Sequence, residues 1–180
     1  MMLSGDADHR EDLGGDRVQR GEPVRRAVAA VDLAPRPSSE DARGMAEEVS
    51  YEWRGRLTDA EMVELVQSHG GQAVVGWWDQ IRQHSLGWVT ARTVGGRLVG
   101  FVNVAWDGGD HAFLLDTKTA GRMQRQGVGT ALVRRAAQEA KTAGCEWLHV
   151  DFEPGLERFY YDACAFGPTR AGLIHLPSGI

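Results

Sequence analysis

The run Asp116–Thr130, DTKTAGRMQRQGVGT, gathers carboxylate, amine, guanidinium and bare glycine into fifteen residues. Within it, Gln124-Arg125-Gln126-Gly127-Val128-Gly129 stands where a strand-like run gives way to an alanine-rich helical pattern. Glycine at a helix mouth costs up to about 1 kcal/mol relative to alanine. Either the backbone must turn sharply there, or something must come very close to it. The first amides of a helix are unpaired and carry a partial positive charge, so they take anions. A glycine backbone would let a diphosphate approach without meeting a Cβ, and Arg122 and Arg125 would add charge-assisted donors. The same residues also suit an ordinary tight turn into a surface helix, and a lone GxG does not separate the two. Neither GxGxxG nor a Walker lysine is present.

The elements around this loop narrow the choice. VSYEWRG alternates like a short strand, and LTDAEMVELVQSHGG sets Thr58 and Glu61 at capping-box spacing before apolar Met62, Leu65 and Val66. WWDQIRQHS suggests a second short helix. Three strand-like runs follow, LGWVTARTV, GRLVGFVNVAWD and DHAFLLDTKT, separated by Gly95-Gly96 and Gly108-Gly109. Such pairs mark hairpin turns, so the runs form an antiparallel meander. After the glycine loop, a helix stops at Gly144. CEWLHVDF reads as a buried strand, PGLERFYYDAC as a helix starting near its proline, and AFGPTRAGLIHL as a closing strand pair. An antiparallel half is thus joined to a βαβ half, a mixed α/β sheet rather than a doubly wound one.

Composition excludes several function classes. The chain has 180 residues, 42% of them hydrophobic, which suits one domain with a real core. Residues 1–48 are rich in Asp, Arg, Gly and Pro and lack aromatics until Tyr51, so they read as a disordered or loosely docked extension to a domain at 49–180. Within them VRRAVAAVDLA (24–34) suits a short docking helix, and Met45 would serve equally as a natural start. A net charge of −5 argues against nucleic acid and is compatible with a cationic amine substrate. Cys145 and Cys164 lack metal-ligand spacing, so no metal site is expected. No apolar run is long enough to span a membrane and no signal-peptide core opens the chain, which reads as cytoplasmic.

The pattern Q/R-x-x-G-x-G/A after a meander, followed by FYYDACAF on a later helix, resembles the GCN5-related N-acetyltransferase (GNAT) family across roughly residues 49–176. The resemblance implies acetyl-CoA as cosubstrate, a primary amine (a small molecule or a peptide amine) as acceptor, and a sheet splayed between its fourth and fifth strands. The fourth strand, HAFLLDTKT, would pair with pantetheine like an added strand through Thr117, Lys118 and Thr119. Gln124, Arg125, Gln126, Gly127, Val128, Gly129 and Thr130 would cradle the pyrophosphate. A homodimer is compatible with the family.

The same resemblance assigns chemistry. The acceptor ammonium must lose a proton before attacking the thioester. Asp116, closing the apolar run AFLL, is the first candidate base, with Asp151, Glu153, His111 and His149 as alternatives and a plain strand-end carboxylate as the bland reading. Tyr161, five residues before Phe166, would protonate the departing CoA thiolate; a core aromatic is the competing reading, and Tyr160 the competing residue. Trp77-Trp78 falls where the family covers its acceptor site. Three residues depart from the pattern: Ala165 replaces the glycine of Gly-Phe, Pro154 an asparagine that bonds pantetheine, and Gln124 the commoner arginine. The alternative function is a non-catalytic acyl-CoA-binding module with the same fold.

Overall fold

The structure, a computed structural model, describes residues 47–176. The readings of the N-terminal extension, the 24–34 helix among them, fall outside the described residues. Five strands lie in the order β1-β2-β3-β4-β5: β1 Val49–Trp53, β2 Ser85–Thr93, β3 Leu98–Trp106, β4 His111–Thr119 and β5 Trp147–Val150. The first four pair antiparallel and β5 joins β4 in parallel. The expected meander and βαβ half are both present, and the hairpins turn at Gly96 and Gly108 with φ of +80° and +85°.

Helices α1 Asp59–Gln67 and α2 Trp77–Ile81 fill the first connection, and α3 Val128–Thr142 makes the β4–β5 crossover. Thr58 caps α1: its hydroxyl accepts from the Glu61 amide at 3.3 Å and the Glu61 carboxylate accepts from the Thr58 amide at 2.9 Å. Glu61 also holds Arg92 of β2 at 2.7 Å, so the cap fastens α1 to the sheet.

The core lies on both sides of β3. Gly100 faces α3, where an added Cβ would come within 2.8 Å of Leu132 Cδ1. Its neighbour Phe101 points to the opposite face and meets Trp78 of α2 edge-on at 5.2 Å. Val128, Leu132, Val133, Ala136 and Ala140 form the buried stripe of α3, as its periodicity predicts.

The C-terminal third departs from expectation in three ways. β5 is a four-residue edge strand rather than a buried one, with Trp147 45% exposed. The helix expected from Pro154 is a single π-helical turn, Arg158–Ala163, delayed by Gly155 at φ +93°. No strand forms among described residues 165–176: Gly167-Pro168 and Gly172 interrupt the run, and Leu173, Ile174 and Leu176 are more than 80% exposed. An apolar composition was legible there, but it finds no partner to bury it.

Candidate active site

The site begins with an irregularity in β4. Asn103 pairs with Leu115 and Phe101 with Lys118, so Val102 alone opposes both Asp116 and Thr117. This is a β-bulge, and Asp116 absorbs it with φ +55°. Asp is among the few non-glycine residues that tolerate the left-handed region. The bulge resets which way the strand points its side chains. Lys118 turns to the α2 face, its ammonium 5.0 Å from the Trp77 ring centroid. Thr119 turns to α3, with Oγ1 3.5 Å from where a Cβ on Gly129 would stand.

Beyond the bulge β4 loses its outer neighbour. The β4–β5 ladder ends at Leu114–Val150, while β4 continues to Thr119. The expected splay between strands four and five is this gap, and it leaves Leu115–Thr119 with a strand on one side only.

The gap leads to the N-terminus of α3. Gly127 is the N-cap at φ +83°, and no side chain caps the helix. The amides of the first turn, Val128 to Thr130, therefore point outward unpaired. Gln124 to Gly127 are exposed, and nothing lies within 4 Å of a Cβ built on Gly127. Arg125 is exposed beside them, whereas Arg122 is engaged by Glu47 at 2.6 Å. Gln126 donates instead to the Arg122 carbonyl, 2.7 Å away, and braces the loop. The two glycines differ in kind. Gly127 is demanded by its backbone angle and opens on free space, whereas a Cβ on Gly129 would meet the Phe159 ring at 3.2 Å. Gly129 thus has a packing reason that the sequence did not reveal.

The π-helical turn closes the other side of the gap and separates the two tyrosines. Tyr160 is 6% exposed and stacked on Phe152 at 4.6 Å, with Phe159 and Phe166 edge-on. Burial pushes its hydroxyl up. The nearby Thr117 hydroxyl works the other way without reaching hydrogen-bond geometry, so Thr117 Oγ1 stays buried and unpartnered. Tyr161 is 36% exposed and touches Phe152 only edge-on at 5.4 Å. The core-aromatic role therefore belongs to Tyr160. Ala165 adopts φ +61°, the conformation that a glycine would take without strain.

Among the candidate bases, Asp116 is tied to Lys118, Oδ1 to Nζ 2.8 Å. Asp151 and Glu153 are exposed on the segment after β5. His111 and His149 do meet, Nδ1 to Nε2 at 2.7 Å. His111 opens β4, about 16 Å from Asp116 at ~3.3 Å per strand residue, whereas His149 pairs with Phe113 next to the end of the β4–β5 ladder. Burial pushes the Cys164 thiol up to about 11, only partly offset by the Thr130 hydroxyl and Arg134. Among the described residues no group of three or more His, Cys, Asp or Glu is placed to hold a metal ion, and no helix is long and apolar enough to cross a membrane. One polar group escaped the sequence reading. Asn103, 2% exposed beside the bulge, carries a buried Oδ1 with no partner; its signal was a lone amide in the apolar run LVGFVNVAW.

Among the described residues, uncapped amides, an open glycine, an exposed guanidinium and a strand side without a partner fit a diphosphate joined to an extended amide arm. The family model for the acetyltransferase (GNAT) family matches residues 46–166. The chain belongs to that family. A curated relative, the mycothiol acetyltransferase of Mycolicibacterium smegmatis, is 32% identical over 110 residues, which is 56% of this chain and 36% of that protein. The chain thus spans about a third of that relative's length. The solved structure of a probable acetyltransferase from Staphylococcus aureus superposes with a TM-score of 0.63 at 18% identity, covering 73% of this chain and 100% of that one. A GNAT N-acetyltransferase from Escherichia coli, solved in complex with CoA, gives 0.55 at 14% identity over 64% of this chain and 69% of that one. The GNAT fold is therefore shared where sequence identity is low, and acetyl-CoA is the acyl donor of the family.

Proposed function

We propose that this chain is an acetyl-CoA-dependent N-acetyltransferase that moves the acetyl group to a primary amine by direct attack in a ternary complex. The observation that carries this reading is the continuity of the β4 gap with the uncapped N-terminus of α3. Bound acetyl-CoA would supply an activated thioester carbonyl. The amides of Val128, Gly129 and Thr130, with Arg125 and the Gln124–Gly127 loop, hold the diphosphate against bare backbone. Thr117, Lys118 and Thr119 offer the free side of β4 to the amide arm, and a backbone N–H of β4 would stabilise the developing oxyanion. Asp116, once released from Lys118, takes the acceptor's proton, and Tyr161 returns one to the leaving thiolate. A phenol and a thiol ionise closely enough for that transfer.

A second reading, an acyl-CoA-binding module without turnover, is favoured by the Asp116–Lys118 ion pair, which keeps the candidate base engaged. CoA release measured against a panel of amines, aminoglycosides, amino acids and peptides separates the two. Release with any of them supports the transferase. Acetyl-CoA binding with no release for any acceptor supports the module.

A further inference from the structure

Lys118 and Lys141 are the two lysines of the chain. Lys141 is exposed in the last turn of α3, far along the helix from the glycine loop. Lys118 is placed quite differently. Its side chain keeps 17% of its surface, its ammonium bonds the candidate base at 2.8 Å, and the Trp77 ring lies beneath it. A carboxylate and an aromatic face are the two groups that would hold an incoming ammonium. The chain's own primary amine already occupies that place, on the strand segment assigned to the acetyl donor.

We propose that Lys118 is a self-acetylation site: with acetyl-CoA bound, its Nζ accepts the acetyl group. This rests on the acetyl-CoA reading above. Asp116 takes a proton from the ammonium, and the neutral Nζ attacks the thioester carbonyl. The new N–C bond forms, the C–S bond breaks, and CoA leaves as its thiol after taking up a proton. One ammonium and one acetyl-CoA give one Nε-acetyl-lysine, one CoA thiol and one proton, with no oxidant or reductant. The product has lost its positive charge, so the ion pair is gone. Asp116 is then free to serve an external amine, and a neutral amide lies over Trp77. The modification would convert a site whose base is engaged into one whose base is available.

The test uses the full chain incubated with acetyl-CoA, followed by intact-mass measurement and peptide mapping. The expected result is one acetyl group per chain, with Lys118 labelled about tenfold or more over Lys141, a ratio that a held amine readily exceeds. Excess free CoA should suppress the labelling, and Asp116→Asn should slow it about tenfold or more. Lys118→Arg, which keeps a cation for Asp116, should abolish the single-turnover CoA release seen without added amine. Equal labelling of both lysines, or labelling that survives excess CoA or prior denaturation, would overturn the proposal as non-specific chemistry. Acetyl-CoA that raises the melting temperature but leaves Lys118 unmodified would overturn it alone. Failure to bind acetyl-CoA would overturn it together with the acetyltransferase reading.

Discussion

At the scale of single residues, the structure gives two neighbouring tyrosines different surroundings. Tyr160 and Tyr161 are adjacent and chemically identical, and only their surroundings distinguish them. Tyr161→Phe should lower kcat about 10²-fold, the usual worth of a positioned general acid, with little change in acetyl-CoA affinity. Tyr160→Phe should leave kcat within a few-fold, because its ring is buried against Phe152, Phe159 and Phe166. Stopped-flow or steady-state CoA release on both variants is the measurement. If Tyr160→Phe alone slows turnover, the roles are exchanged. Glu61 offers a test of a different kind. The Arg92 hydrogen bond, helped by the Thr58 amide and hydroxyl and opposed by burial, holds its carboxyl at about 2 instead of 4.5. A depressed carboxyl stabilises the fold fully above its unfolded value. That contribution is lost as pH falls from about 4.5 to about 2. Melting temperatures across this window should fall in the parent chain, and Glu61→Gln should flatten that fall while costing about 2 kcal/mol at neutral pH.

At the scale of elements, what was legible is what local chemistry dictates. The capping box, the glycine hairpins and the period of α3 each follow from neighbours within a few residues, and each is where its residues placed it. The bulge at Asp116 was not legible, because it arises from the register of β3 against β4 and leaves no mark in LLDTKT. The π-helical turn likewise leaves no mark in the composition of RFYYDA. These distinctions set two expectations. Gly127→Ala places its Cβ in open space, so it should cost the fold only about 1 kcal/mol of left-handed strain while weakening acetyl-CoA binding tenfold or more by calorimetry. Unchanged affinity would reduce Gly127 to a turn residue. The matching change at Gly129 would press on Phe159 and is not informative about a ligand. Ala165→Gly should raise stability by up to about 1 kcal/mol in denaturant unfolding, since φ +61° is strained for alanine. A loss instead would mean that the greater freedom of glycine in the unfolded chain outweighs the strain.

At the scale of the whole molecule, among the described residues every strand of the sheet lies at Val49 or later, the candidate site residues run from Asp116 to Tyr161, and the family match begins at residue 46. A chain beginning at Met45 should therefore keep acetyl-CoA affinity and lose no more than about 0.5 kcal/mol, the scatter of surface changes. A larger fall in melting temperature would give the upstream residues a share of the core. The divergence of β5 from β4 has one more consequence, isotopic rather than chemical. In the antiparallel ladder successive residues of β4 present their amides to opposite sides, so along Leu115–Thr119 some bond β3 while the others face the gap. Deuterium should enter this one strand unevenly, quickly at the gap-facing amides and slowly at those held by β3. Docking of an extended arm would silence the fast set alone, giving a footprint of the cosubstrate written in alternate residues of a single strand.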